Sequence, residues 1–350
     1  MFYVLSLGDV RKGNVMIKKK FAQWLTAGAV ASGMLFSVSA TATGYAEHPE
    51  AQKLISELVQ DGFESAEIKQ VLAKAERKES ILKAISRPAE KRLTWGEYRN
   101  IFLKSKRINQ GVSFWNEHSD TLAKAEQIYG VPAEIIVAII GVETRYGRNM
   151  GSYRVLDALS TLGFDYPKRG KFFRGQLKEY FYLVRDEKVD PLSLKGSYAG
   201  AMGFGQFIPS SFRHFAVDFD GDGKKDIWNN PVDAIGSVAN YFKEHGWKNG
   251  EQVRSNVVIG ETAQDDWFNN GLKPKLTLKQ WAERGITTRK SIADANVATL
   301  MRLETDGEFH YWFGLHNFYV ITRYNHSRLY AMAVYELSQA VAKQRSVDAG

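Results

Sequence analysis

At 350 residues, with 44% apolar and 25% charged side chains, the chain is long enough for about two domains and too apolar for disorder to be its default. It has no cysteine, which excludes disulfides, thiol catalysis, thiolate metal sites and a lipid attached through an N-terminal cysteine. The formal net charge of +8 points to an anionic partner, but part of it sits in a segment that reads as removable.

That segment comes first. Met16-Ile17 and Lys18 to Lys20 precede a largely apolar run, Phe21 to Val38, and the small residues Ser39 to Ala42. This is the pattern of a secretory signal over residues 1–42, with cleavage after Ala40, Ala42 or Ala46 and a start at Met1 or Met16. Gln23, Thr26 and Ser32 interrupt a run already short of the ~20 apolar residues that a membrane anchor needs. Removing Arg11, Lys12, Lys18, Lys19 and Lys20 against Asp9 lowers the formal charge from +8 to about +4. Nucleic-acid binding then loses its main support, while a mild positive excess still suits an anionic polymer.

Glu47 to Arg87 has helical spacing, with Leu54 and Leu58, then Ile68, Val71 and Leu72, divided at Asp61-Gly62. EIKQVLAKAERKESILKAI reads as one solvated amphipathic helix that Arg87-Pro88 ends. Leu93 to Tyr98 is aromatic and turn-like, and a further helical segment runs to Ile108. The expected N-terminal helical domain covers residues 47–115. Glu117 to Tyr129 is another amphipathic helix, separated from the next by Gly130-Val131-Pro132.

The next segment, Gly130 to Gly147, is apolar without a break from Ile135 to Gly141, so a helix here is buried on every face. Glu143 stands at its end. A carboxylate at the edge of a core must be paired, protonated or used. The helix macrodipole contributes ~0.3–1 kcal/mol toward the neutral acid, so desolvation has to supply the rest of any large pKa rise. Glu143 is therefore a candidate general acid, and an ion pair with Arg145 or Arg148 is the alternative.

Helical spacing returns at Gly151 to Gly163. Asp165 to Arg174 is basic and aromatic, readable as a solvated loop and helix start or as a contact for carboxylates or sugars. Lys195 to Pro209 places Gly196, Gly200, Gly203 and Gly205 among aromatics, which lets backbone approach a ligand closely. It lacks the Lys-Ser/Thr ending of a phosphate loop. From Asp218, oxygen donors fall at positions 1, 3, 5 and 9 with a glycine at 6, the spacing of a helix–loop–helix calcium loop. Asn229 stands where position 12 has a bidentate glutamate. A structural Ca2+ of modest affinity, Kd about 10⁻⁴–10⁻³ M, is the expectation. Without a cation the loop would be an empty acidic turn.

Helical spacing holds again from Pro231 to Lys243. From Gly246 to about Glu308, β-prone pieces (Val253 to Ile259, Leu276 to Leu278, Thr299 to Leu303) alternate with turns at Asn269 to Gly271 and Asp306-Gly307. A small β-rich insertion over 246–310 follows from this. The aromatic segment from Tyr311 and a closing helix, Tyr330 to Val341, form a return segment, residues 311–345, that completes a core made mainly of residues 116–245. The composition includes 8 Trp, 16 Tyr and 20 Phe, which suits a cleft for flat sugar rings as well as a core.

Four pieces in this order resemble the B-type lytic murein transglycosylases: GVETRYG around Glu143, GSYAGAMGFGQFIPSS from Gly196, the aspartate loop running into WNNPVDAIGSVANYF, and NFYVITRYNHSRLYAMAV from Asn317. The resemblance implies a mainly α (α+β) fold, with a lysozyme-like core, an N-terminal helical domain and a small inserted β domain. It implies cleavage of the MurNAc–GlcNAc bond of peptidoglycan with a 1,6-anhydromuramoyl product. By motif, Glu143 is the single catalytic acid/base, and Ser197, Gln206, Tyr98, Tyr324, Asn325 and Tyr330 line the sugar sites. Asp218, Asp220, Asp222, Lys224 (through its carbonyl) and Asn229 take the calcium positions. With no cysteine to carry a lipid, the expectation is a soluble periplasmic monomer with peptidoglycan strands as partner, no nucleic acid, no stable membrane anchor and no organic cofactor.

Overall fold

The computed structural model describes residues 44–86, 93–289 and 292–348. The expected signal sequence and the helix end at Arg87-Pro88 lie outside them. Helices α1 (Pro49–Gln60), α2 (Ser65–Ala73) and α3 (Glu79–Ser86) come first, followed by α4 (Trp95–Phe102), α5 (Ser105–Glu117), α6 (Ser119–Tyr129) and α7 (Ala133–Thr144). A short ribbon, β1 (Tyr153–Arg154) paired antiparallel with β2 (Lys195–Gly196), brackets α8 (Val155–Asp165) and α9 (Gly170–Asp186). After α10 (Pro209–Phe215) and α11 (Pro231–Glu244) come β3 (Arg254–Ile259), β4 (Leu276–Thr277), α12 (Leu278–Glu283), β5 (Ile286–Thr288), β6 (Val297–Thr305) and β7 (Glu308–Gly314). α13 (His316–Tyr324) and α14 (Arg328–Asp348) close the described chain. Among the described residues no single helix is long and apolar enough to cross a membrane.

Three apolar cores follow from the pattern. The largest surrounds α7, whose residues from Ile135 to Val142 are all buried, as the unbroken apolar run requires. Each buried Ile or Val there contributes about 1.5–3 kcal/mol of transfer free energy. α4, α5, α6, α11, α13 and α14 supply its walls through Tyr98, Phe114, Leu122, Phe242, Phe318 and Leu337. A second core joins α1–α3 to α8 and α9 through Leu58, Ile68, Leu72, Leu159 and Leu177. The third lies on the five-stranded antiparallel sheet, order β4-β6-β7-β3-β5, and holds Trp281, Leu300 and Phe313.

Several expectations are corrected. The long helix over residues 67–85 breaks at 74–78, and its apolar side is no solvated face, because Ile68, Leu72 and Ile81 are fully buried. The break is held from β1 and α8: Asp157 accepts the Glu76 N–H at 2.9 Å, Thr161 accepts the Lys78 N–H at 3.1 Å, and Arg154 donates to the Lys74 carbonyl at 3.1 Å. The turn-like Leu93 to Tyr98 is the start of α4, closed by a capping box in which Thr94 and Glu97 satisfy each other's backbone N–H. Residues 95–114 pack with α7, so the expected division at 115/116 does not separate two cores. Residues 308–314 form one strand, paired with β6 from Thr305↔Glu308 to Thr299↔Gly314, so the expected boundary at 310/311 falls inside β7. The Asp306-Gly307 turn, both residues at positive φ, sets that register.

Candidate active site

Glu143 occupies the last turn of α7, and the helix stops there abruptly. Arg145, Tyr146 and Gly147 follow at φ 53°, 61° and 80°, the left-handed region that non-glycine residues enter at a cost. Side-chain bonds hold that conformation. Thr144 Oγ1 lies 2.9 Å from the Phe204 carbonyl, which it can donate to, and accepts the Gly147 N–H at 3.0 Å. The Tyr146 hydroxyl donates to the Arg107 carbonyl at 3.1 Å, while the Arg107 guanidinium donates to the Gly141 carbonyl at 3.0 Å. Gly141 and Gly111 are required at this crossing: a Cβ on either would lie 2.6 or 2.5 Å from the Tyr146 hydroxyl oxygen.

The carboxyl of Glu143 meets Tyr330 of α14, whose hydroxyl donates to Oε1 at 2.6 Å. Among the described residues Glu143 forms no ion pair, so pairing with Arg145 or Arg148 is not what the structure shows. Burial pushes its pKa from 4.5 up to about 7, and the Tyr330 hydrogen bond, which favours the carboxylate, opposes that rise only in part. No acidic side chain contributes to the shift. Burial, reinforced by the neighbouring Glu143, holds the Tyr330 and Tyr324 phenols well above their ordinary value, so both remain hydrogen-bond donors at neutral pH.

The other sequence-derived residues fall into two groups. Tyr324 stacks on Tyr330 (6.5 Å between centroids, 10° between planes) and donates to the Gly205 carbonyl, so it ties the glycine-rich strip to the face of α14 that meets Glu143. Gly205 has to be glycine here, since a Cβ would stand 2.8 Å from the Tyr324 hydroxyl. Next in the strip, Gln206 sits at φ 53° and donates to the carbonyls of Met150 (3.1 Å) and Gly203 (3.0 Å), with Oε1 buried and unpartnered. Tyr98 is buried in the same core as Tyr330, and Asn325 ends α13 in extended conformation, half-buried. Ser197 stands apart: it is 3% exposed and its Oγ accepts the Ala201 N–H at 3.0 Å and the Ala199 N–H at 3.3 Å, bracing the turn of the strip. Thr144, Arg107, Tyr146 and Tyr241, which donates to the Arg323 carbonyl at 2.7 Å and packs on Tyr324, were not expected from the sequence. The glycines Gly111 and Gly141 are the sequence signal that goes with this close helix crossing, and it was not read.

Further along, the carboxylate oxygens of Asp218, Asp220 and Asp222 lie within 4.8 Å of one another. Asp218 accepts the N–H groups of Gly221 (2.7 Å) and Gly223 (2.8 Å), and Asp222 accepts that of Lys224 at 2.9 Å. No cationic side chain is ion-paired with the trio among the described residues, and the donor set is all oxygen, which fits a hard divalent ion. Asp226 instead caps its own turn, accepting the Trp228 and Asn229 N–H groups and the Asn229 amide. A residue that the loop motif does not include, Asp233 of α11, is fully buried and accepts the N–H of Phe219 and of Asp226, both at 2.8 Å. It fastens the loop to the helix that follows.

The Transglycosylase SLT domain family matches residues 46–339. A curated relative, membrane-bound lytic murein transglycosylase B of Escherichia coli (strain K12), is 47% identical over 311 residues, 86% of this chain and 85% of its own. The chain belongs to the B-type lytic murein transglycosylases. Solved structures agree. The soluble lytic transglycosylase SltB1 from Pseudomonas aeruginosa is 54% identical with a TM-score of 0.82, covering 85% of this chain and 100% of that one. The Escherichia coli lytic transglycosylase Slt35 in complex with calcium is 46% identical with a TM-score of 0.79, over 88% and 98% of the two chains. The transglycosylase is thus an enzyme acting on peptidoglycan, mainly helical, with its small antiparallel sheet inserted before α13.

Proposed function

We propose that Glu143 is the single acid/base of this transglycosylase and that the scissile bond joins N-acetylmuramic acid to N-acetylglucosamine. The observation that carries the proposal is a carboxyl with a pKa near 7 at the end of a buried helix, hydrogen-bonded to a tyrosine and uninfluenced by a second acid. Hydrolytic glycosidases place two carboxyls ~5–5.5 or ~6.5–9.5 Å apart, one to protonate the leaving oxygen and one to attack or to activate water. A lone carboxyl suits an intramolecular route. Protonated Glu143 gives its proton to the glycosidic oxygen as the bond to the anomeric carbon breaks. The resulting carboxylate takes the proton of the muramyl 6-hydroxyl, whose oxygen closes onto the anomeric carbon. The acid is regenerated and a 1,6-anhydromuramoyl end is left. The attacking group is already part of the substrate, so its effective concentration is high and no water has to be positioned.

Tyr330 holds the carboxyl in place and stabilises its ionised form between the two proton transfers. Tyr324 and Asn325 offer a ring face and an amide group to the sugars, Tyr98 and Gln206 support the site from its buried side, and Ser197 shapes the strip beside them. Asp218, Asp220 and Asp222, with the Lys224 carbonyl and Asn229, would hold a Ca2+, whose charge would offset that of the loop carboxylates. The signal-like N-terminus and the missing lipid-bearing cysteine support a soluble periplasmic enzyme. Mass spectrometry of products from purified sacculi tests the chemistry: anhydro ends are expected, and reducing ends would replace this reading with a hydrolytic muramidase. Glu143→Gln is expected to lower turnover at least ~10³-fold while leaving sacculus binding intact.

A further inference from the structure

The inserted β domain has a feature that the cleavage chemistry does not use. A pocket of about 100 Å³ opens on the sheet between the Trp267 to Leu276 segment, α12 and β6. Trp281 forms its inner wall, 5% exposed and fixed by donating to the Ala298 carbonyl at 3.2 Å. Trp267 stands edge-on to it, 6.2 Å away, and the Arg284 guanidinium lies over both rings at 5.4 and 5.6 Å. Lys273 and Lys275 complete the rim. Among the described residues none of these three cations is ion-paired, whereas nearby Arg302 is matched by Asp265 at 2.7 Å and Arg254 by Glu336 at 3.7 Å. Three unmatched cations around an aromatic wall fit an organic carboxylate attached to a partly apolar body.

The pocket is also joined to α14, whose Tyr330 meets Glu143. Asn269, at φ 58°, is locked to β6 by accepting the Arg302 N–H at 3.1 Å and donating to the Leu300 and Arg302 carbonyls. Its own carbonyl accepts from Arg328 at 2.7 Å, at the first residue of α14 and two residues before Tyr330. We infer that this pocket is an accessory substrate site, holding a carboxylate of a peptide stem on the peptidoglycan strand that the enzyme cleaves. The inference rests on the chain acting on peptidoglycan, and not on the assignment of Glu143.

The test is a fluorescence titration of the full-length protein with a synthetic stem tetrapeptide bearing free carboxylates, and with its fully amidated counterpart. Saturable quenching is expected with the first. At least tenfold weaker binding is expected with the amidated peptide and with the Arg284→Ala/Lys275→Ala protein, and the quenching amplitude should fall in Trp267→Phe, where Trp281 alone is left to report from the pocket. The double variant should also show a raised KM on stem-bearing sacculi with kcat unchanged, and cleave peptide-free glycan strands within twofold of wild type. If the alanine pair melts early, Arg284→Gln/Lys275→Gln replaces it. Equal affinity for both peptides, no saturable quenching, or a quenching amplitude undiminished in Trp267→Phe overturns the inference. A Glu143→Gln protein that still cleaved would leave this titration unchanged, so the two claims fail separately.

Discussion

In the proposed mechanism Glu143 and Tyr330 set the proton chemistry, and the direction of each effect follows from their contact. The acid must be protonated to start the reaction, so kcat/KM should fall as pH rises through about 7. In Tyr330→Phe the carboxylate loses a donor that favours it, so that alkaline limb should move to higher pH while the maximal rate drops; a pH profile of both proteins checks this. Stability carries the same signature. With a folded pKa above the unfolded 4.5, the native state holds a proton that the unfolded chain has lost, and stability declines between pH 4.5 and about 7. Glu143→Gln removes that decline. Its melting temperature should exceed the wild type's at pH 8 and not at pH 4, by a free energy of no more than about 3 kcal/mol. Glu143 was legible because a carboxylate ending an unbroken apolar run needs a reason. Tyr330, 187 positions away, came only from resemblance, since nothing local marks one tyrosine among 16.

At the scale of elements, the end of α7 depends on a crossing where two glycines admit one tyrosine hydroxyl. Gly141→Ala would force a Cβ into the Tyr146 ring at 2.6–2.8 Å. A loss of about 1–3 kcal/mol in urea unfolding is expected, together with reduced kcat, because the turn carrying Glu143 must shift. Periodicity and turn chemistry made α7, α11 and the β-prone pieces readable. The break between α2 and α3 was not readable: lysines and glutamates continue the helical pattern through it, and the groups that stop the helix, Asp157 and Thr161, stand about eighty positions further on. β7 was not read as a strand, and the boundary at 310/311 fell inside it, because its aromatic residues show no alternation, although the turn before it was evident. Ser197 was expected in the cleft from its motif, yet its oxygen is engaged in the turn that the glycines make.

For the whole molecule, the aspartate loop and the N-terminus bear on stability. With Kd near 10⁻⁴–10⁻³ M, 10 mM Ca2+ should stabilise the fold by about 1.4–2.7 kcal/mol, a rise of a few degrees in Tm by calorimetry. Asp222→Asn should erase most of that rise without abolishing cleavage. Of the three cleavage points expected from the sequence, the one after Ala46 would strip away Tyr45, which is 8% exposed, bonded to Asp165 and packed on Phe164. N-terminal sequencing of the secreted protein should therefore find Tyr45 retained.

If Glu143 is the acid, the union of α7 with α14 also sets when the enzyme becomes dangerous to the cell that makes it. While the chain is being secreted, Glu143 emerges long before Tyr330, and in a chain not yet folded it is an ordinary glutamate, ionised at neutral pH and unable to give a proton. On the proposed mechanism, lytic power arrives only when the last helix docks and brings the Tyr330 hydroxyl to the carboxyl. A protein truncated before Arg328 should release nothing from sacculi, even where it stays in solution.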